Sequence, residues 1–219
     1  MTITANGNPV RNIELRIPWN GCFETRVQHV GKPLIGNVEI DWRGWKFTGT
    51  VDPTRSGEFV SSPGAVIVGG LAWRTMLEPK TYVDDRSILR STVALDLASA
   101  VGLPIEASGD ASLGRYWARR RASAGQSLSR VLSAWRFDLD GITRNNARPT
   151  PALGPSVFVK KYDPRDTSVE IFADRPDQCL VGAILPTSTR LPSPRRIVEL
   201  FAASNGTKET ISALTIGVV

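Results

Sequence analysis

Four acids close together in the chain, Asp84, Asp85, Asp96 and Glu106, have the residue types of an acid and base pair. Two carboxylates flanking a glycosidic bond can cleave it, one protonating the leaving oxygen while the other activates water or attacks the sugar. Asp84 and Asp85, however, stand beside Arg86 and Arg90, just ahead of the apolar, helix-like part of Val83 to Glu106. Acids ahead of a helix favour the positive end of its dipole, and neighbouring arginines neutralise them. This segment therefore reads as a polar lead-in to a docking helix, with Asp84, Asp85, Arg86 and Arg90 available for ion pairs within or between subunits.

The remaining chemistry is sparse. His29 is the single histidine and sits in Val27-Gln-His-Val30 with no motif around it, so a serine or cysteine triad has nothing local to build on. Cys22 and Cys179 lie far apart and form no C-x-x-C, which argues for free, buried thiols in place of a disulfide framework or zinc site. The metalloprotease HExxH, the GxSxG nucleophile elbow and the P-loop are all missing, and Gly69-Gly70 lacks the further glycines of a dinucleotide loop. No catalytic residue, metal ligand or cofactor is assigned. Trp42, Trp45 and Trp73 could form a sugar-stacking shelf, but tryptophans in alternating β segments more often serve a core or an interface.

The charge balance keeps one other class open. Lysine and arginine total 27 against 21 acids, a net +6, with arginines gathered in RYWARRR, Arg115 to Arg121, and in SPRRIVE, Ser193 to Glu199. Arg115, Arg119, Arg120, Arg121 and Arg130, with Tyr116 and Trp117 interleaved, could neutralise phosphates and stack bases, so a nucleic-acid-binding protein is the alternative function. About twenty residues with strand-like sequence separate the two helical stretches, too many for a helix-turn-helix. With no apolar run near the ~18 residues of a bilayer span and no leader pattern, the expected place is the cytoplasm or an assembly built there.

The elements that would position these residues are mainly strands. Asn12 to Pro18 and Gly36 to Trp42 alternate apolar and polar residues, and Arg43-Gly44 turns the second run into Trp45 to Val51 as a hairpin. A polar loop, Asp52 to Pro63, leads to the apolar strand Ala65 to Val68. Ser91 is expected to cap a helix whose Val93, Ala94, Leu97, Ala98 and Val101 form a stripe docked on the sheet, stopped by Gly102 and Pro104. Ser123 and Gln126 have capping-box spacing for a second helix, with Leu128, Val131, Leu132 and Trp135 on one face. Between the helices Gly114 to Arg121 looks extended, and after them Asp140-Gly141 signals a hairpin. A proline-bearing polar stretch, Asn145 to Pro155, precedes strands at Ser156 to Lys160, Ser168 to Phe172, Ala183 to Leu185, Arg196 to Phe201 and Thr210 to Val219. Closing the edges of those strands is cheapest in a barrel.

The expected fold is a β-rich α+β chain: an N-terminal β-barrel-like domain (1–82), an α/β segment with two docking helices and a hairpin (83–145), and a C-terminal β-barrel-like domain (146–219). Phe47 to Val51, Val66 to Gly70 with Trp73-Arg74, Lys80 to Tyr82, and Ile88 to Val93 leading into Asp96 to Ala98 and Val101-Gly102 follow in an order that resembles the baseplate hub or tail-tip proteins of tailed bacteriophages. Gly114 to Tyr116, Arg119-Arg120, Leu128, Trp135 and the Asp140-Gly141 turn continue the resemblance, as do Val159 to Asp163, Val169 to Asp174, Pro176 and Gly182. It covers roughly Val38 to Gly182 and consists of strands, turns and small residues, with no chemical signature. What it implies is a structural, non-enzymatic protein of the virion tail, made in the host cytoplasm. Such a protein would form a homo-oligomeric ring, commonly a trimer, joining the distal tail or tube to a spike or fibre, with DNA met only in passage and no membrane insertion. The chain is short for such a hub, which leaves room for further domains on a separate polypeptide. Interface candidates on this reading are Trp42, Trp45, Trp73, Asp84, Asp85, Arg86, Arg90, Arg119, Arg120 and Arg121.

Overall fold

The computed structural model describes residues 2–59, 62–107, 111–145, 151–205 and 207–218, with only the backbone of Glu58, Phe59 and Ser62. Contacts divide the chain into two compact units, one of Met1–Trp19, Phe23–Val68 and Pro149–Val219, the other of Asn20–Cys22 and Gly69–Arg148. The units follow contacts between distant parts of the chain, and so cut across the consecutive spans 1–82, 83–145 and 146–219.

In the first unit six antiparallel strands close a barrel. Ile3–Ala5 pairs with Asn37–Trp42, and the ring continues through Trp45–Val51, Ser62–Val68, Glu24–His29 and Asn8–Pro18, which returns to Ile3–Ala5. Alternation decides what goes inside: Ile13, Leu15 and Ile17, then Val38, Ile40 and Trp42, are buried at every second position. Each such aliphatic side chain contributes about 1.5–3 kcal/mol on burial. The expected hairpin is present, with Trp42 opposite Trp45 and both Arg43 (φ 56°) and Gly44 (φ 88°) in the left-handed region. Asp41 Oδ1 accepts the Gly44 N–H at 2.7 Å.

Arg195–Ser204 pairs with the C-terminal part of Asn8–Pro18, and Glu209–Gly217, Ser168–Phe172 and Phe158–Asp163 follow in that order, extending the barrel sheet, which numbers twelve strands with Ile184–Leu185 and the short Gly57–Phe59 on Ser62–Val68. Ile184–Leu185 joins on Arg195–Ser204. Among the described residues the pairings close one ring, the N-terminal barrel, and leave Phe158–Asp163 at an edge. The polar loop after Val51 is held by Asp52, whose carboxylate accepts from Thr54 N and Oγ1 (3.1 and 2.6 Å) and from Arg55 Nε (2.9 Å). Those bonds, that from Thr54 foremost, outweigh burial and hold the Asp52 pKa down at about 2.

The second unit carries both helices, α1 (Arg90–Val101) and α2 (Ala124–Val131). α1 buries Val93, Ala94, Leu97 and Ala98 as its sequence stripe requires, but that stripe packs against α2, not chiefly on a sheet. Its N-cap is Leu89, which has no side chain able to accept the free N–H groups, so Ser91 lies inside the first turn and the cap read at Ser91 is corrected. Gly102 ends it in the left-handed conformation (φ 67°). α2 has the expected capping box, Ser123 Oγ accepting Gln126 N and Gln126 Oε1 accepting Ser123 N, both at 3.2 Å. Behind the helices Trp73 and Trp135 meet at 5.4 Å between ring centroids, and both are anchored: Trp73 Nε1 donates to Thr143 Oγ1 (2.9 Å) and Trp135 Nε1 to Ser129 Oγ (2.8 Å). A small sheet of Ile105–Glu106, Thr143–Asn145, Trp135–Phe137 and Gly21–Cys22 borders this core.

Gly70 is the tight point of that core. It adopts φ 67°, and a Cβ there would lie 2.6 Å from Phe137 Cδ2. Gly70→Ala should therefore lower stability by about 2–4 kcal/mol, combining overpacking with left-handed strain. Gly141→Ala meets open space at φ 85° and should cost only about 1 kcal/mol, a contrast that paired denaturant melts would measure.

Candidate assembly surfaces

The opening acids do not form a carboxylate pair. Asp84 is exposed and its Oδ1 accepts the backbone N–H groups of Arg86 (2.8 Å) and Ser87 (3.2 Å), which fixes the bend before α1. Asp85 and Arg86 are exposed, and among the described residues neither carries an ion pair. Glu106 pairs with Arg144 at 2.7 Å, and Arg144 also binds Asp138 and Asp140. Asp96 belongs to a third cluster. With Asp84, Asp96 and Glu106 each bound to a different cation or backbone turn, the arrangement holds chain segments together.

Asp96 projects from α1 toward a ribbon of Lys80–Val83 paired with Tyr116–Arg119. Its Oδ1 accepts from Lys80 Nζ and its Oδ2 from Tyr82 Oη, both at 2.5 Å, while Arg119 Nη1 stands 3.9 Å from Oδ2. Strand alternation explains the convergence: Lys80 and Tyr82 on one strand, Trp117 and Arg119 on the other, share the face turned to α1. Arg119 is buried, and its Nε and Nη2 both donate to the Glu78 carbonyl (3.0 and 2.9 Å). Burial pushes the Asp96 pKa up, but the bonds from Lys80 and Tyr82 and the charges of Lys80 and Arg119 prevail and hold it below the ordinary carboxylate range. Burial first, then the bond to Asp96, raises that of Tyr82.

Several sequence-stretch assignments change with this geometry. Trp42 and Trp73 are each 1% exposed, and Trp42 Nε1 donates to Glu209 Oε1 at 3.1 Å inside its own unit, so both leave the set of interface candidates for the core. Arg119 leaves it too, because it is buried with Nε and Nη2 donated to the Glu78 carbonyl and Nη1 turned toward Asp96. Trp45 is half-buried against Phe47, with ring centroids 4.9 Å apart. Arg90 is half-buried, and among the described residues its Nε has no hydrogen-bond partner. Of the arginine run, Arg115, Arg120 and Arg121 are exposed, and Arg121 reaches Glu78 at 3.5 Å. A phosphate-binding surface would thus have to work without Arg119.

His29 is buried in the barrel wall with both ring nitrogens lacking a partner among the described residues, which removes it from any triad. Cys22 and Cys179 are free, and burial raises both thiols to about 12, out of the reactive range. Among the described residues no three His, Cys, Asp or Glu side chains are grouped to hold a metal, and no helix is long and apolar enough to cross a membrane.

What the surface offers instead is exposed apolar side chains at strand edges. On the ribbon Val83 (73% exposed) lies opposite Tyr116 (64%), on the face turned away from Asp96. In the first unit Phe158 and Phe172 stack at 4.6 Å, with Lys160 Nζ 5.7 Å from the Phe172 ring. Sequence reading missed these because single exposed apolar residues carry no periodic signal; the pairing of the two strands supplies the proximity.

No protein-family model matches the chain, and no curated protein matches it in sequence. Solved structures do match in fold. The 43 kDa tail protein of prophage MuSo2 from Shewanella oneidensis superposes with a TM-score of 0.72 at 9% identity, covering 99% of this chain and 97% of that one. A tail protein from Neisseria meningitidis MC58 gives 0.67 at 10% identity, covering 99% and 96%. The E. coli c3393 protein, described as a component of the type VI secretion system with structural similarity to the T4 bacteriophage tail proteins gp27 and gp5, gives 0.69 at 8% identity, covering 100% of this chain and 77% of that one. The fold is shared with phage tail proteins.

The Asp96 cluster makes a signed expectation. A carboxylate with a lowered folded-state pKa contributes stability that is complete above its unfolded pKa, about 3.9, and is lost as pH falls through the lower folded value. Asp96→Asn should cost about 1–2 kcal/mol at pH 7, and the gap to the parent protein should shrink as pH drops below about 4; urea melts at pH 7 and pH 3 would read it.

Proposed function

Taking the fold shared with phage tail proteins as the premise, we propose that the chain is a structural component of a phage tail tip or baseplate. In that role it forms a hub ring, a trimer of this chain, that connects the tail tube to a spike or fibre. The observation that carries the reading is the match of the whole chain, 99%, to nearly the whole of a prophage tail protein, 97%. A match confined to the barrel would have spoken only for a widespread module.

The chemistry supports a non-enzymatic role. Three of the four acids weighed for hydrolysis are bound to separate partners: Asp84 to a backbone turn, Asp96 to Lys80 and Tyr82, Glu106 to Arg144. An assembly protein needs rigid sheets, exposed edges and complementary charged rims, and those are the features at the surface. The chain would be made in the host cytoplasm and reside in the virion tail, meeting neighbouring tail proteins at its edges and DNA only in passage. The interface candidates retained for this role are Trp45, Asp84, Asp85, Arg86, Arg90, Arg120 and Arg121. Each rim ion pair contributes about 0–1 kcal/mol, so the ring would depend on many of them together with exposed apolar contacts.

Light scattering of the purified chain over a concentration series tests the ring. A plateau at three chain masses is the expected result, with ring-shaped particles in images. A single chain mass at every concentration, or hydrolysis of cell-wall polymer by the purified protein, would contradict the proposal.

A further inference from the structure

His29 is the one histidine of the chain, and neither the fold nor the assembly surfaces use its chemistry. It ends the strand Glu24–His29 and follows Thr25 and Val27 on the inward face, where all three are buried and His29 is 1% exposed. Neither ring nitrogen has a hydrogen-bond partner among the described residues. A neutral imidazole so placed leaves one donor and one acceptor unmet, whereas a protonated one leaves two donors and a charge. Burying an unpaired charge costs far more than burying an unpaired neutral group.

Among the described residues the barrel strands offer that charge no counter-ion. On Asn8–Pro18 Arg11, Glu14 and Arg16 are exposed, as are Arg26 on the histidine's own strand, Lys32 in the loop after it, Glu39 on Asn37–Trp42 and Lys46 on Trp45–Val51. The less exposed acids are held elsewhere. Glu24 pairs with Arg55, Asp41 accepts the Gly44 N–H, Asp52 accepts from Thr54 and Arg55, and Glu209, which meets the barrel from the C-terminal strands, is bound by Trp42 and Arg43. Ile3–Ala5 and Ser62–Val68 contain no charged residue.

The place of His29 in the ring decides what its charging would do. It pairs with Val10, and a bulge between Val10 and Asn12 sets that pair apart from the ladder running from Asn12 opposite Gln28 to Arg16 opposite Glu24. The two residues before Val10 close the barrel, Asn8 opposite Ala5 and Pro9 opposite Thr4. The residue after His29 joins them, since Val30 N donates to the Pro9 carbonyl at 3.0 Å. We propose that His29 is an acid-sensitive catch on this seam: protonation opens the Val10 pair and the Ile3–Ala5 pairing beside it, while the longer ladders hold. The open seam takes up a proton that the closed barrel excludes. Closure is therefore complete above the ordinary histidine range, about pH 6.5, and weakens as pH falls below it. Asp52 and Asp96, both held below the ordinary carboxylate range, act only at lower pH. The catch belongs to a single barrel and does not depend on assembly.

Amide hydrogen exchange of the whole chain tests it, read by mass spectrometry between about pH 7.5 and 5.5 and corrected for the intrinsic pH dependence of exchange. Protection of the segment 2–10 should fall by up to about tenfold per pH unit below about pH 6.5, the limit for one proton, while Arg195–Ser204 and Glu209–Gly217 keep theirs. His29→Met should remove the pH dependence. A loss that is absent in the parent, equal in His29→Met, or spread evenly over the sheet overturns the catch. Should His29→Met fail to fold, the ring C–H resonances of the parent's single histidine decide instead. Seam protection lost in step with protonation supports the catch, and an imidazole that takes up its proton while the seam stays protected overturns it.

Discussion

The strand Asn8–Pro18 carries the hydrogen bonds on which the first unit depends. One of its edges pairs with Glu24–His29; the other pairs first with Ile3–Ala5 and then, from Ile13 on, with Arg195–Ser204. Eleven residues therefore close the barrel at one end and splice the C-terminal sheet onto it at the other. A ladder hydrogen bond left unmade in a buried strand costs the desolvation of both its groups, so neither pairing can slip without exposing the other. Glu209 reinforces the splice by accepting from Trp42 Nε1 and pairing with Arg43 at 3.0 Å, which ties the barrel hairpin to the C-terminal strands.

The second unit is organised by packing instead of by closure. Trp73 and Trp135 fill the space behind α2, each with its indole N–H satisfied, and Gly125 leaves room for the Trp135 ring, which would lie 3.0 Å from a Cβ there. Asp96 then locks the ribbon to α1 through Lys80, Tyr82 and Arg119. A ribbon clamped on one face by these groups leaves Val83 and Tyr116 on the other, and its apolar exposure is a consequence of how it is held. The same residues that stabilise the unit thus also decide what it can offer a neighbour.

Local signals in the sequence located most elements. The alternation around Ile13 and Ile40, the positive-φ turn at Arg43-Gly44, the Ser123 and Gln126 capping box and the Asp140-Gly141 turn are each written in a few adjacent residues, and each is where the residues placed it. Long-range partners were not legible. Nothing near Ile3 announces that it will lie opposite Trp42, nor does Arg195–Ser204 reveal that it will join a strand near the other end of the chain. Strand pairing of that kind is decided by global closure, which is why the two units interleave in sequence. The interface list suffered for a related reason: a tryptophan in an alternating strand can point inward or outward, and Trp42 points inward, while Trp73 sits on the short 3-10 turn Leu71–Arg74 and is buried there. Asp96, weighed only as an acid, turned out to be a structural clamp because its partners lie 14 to 23 positions away on the ribbon.

The most direct measurement is immunolabelling of tailed particles assembled from the genome that encodes this chain, with antibody against the purified protein, viewed by electron microscopy. Label confined to the end of the tail distal to the head is the expected result. Particles that carry no copy of the chain, or carry it only in the head, would contradict a tail-tip role.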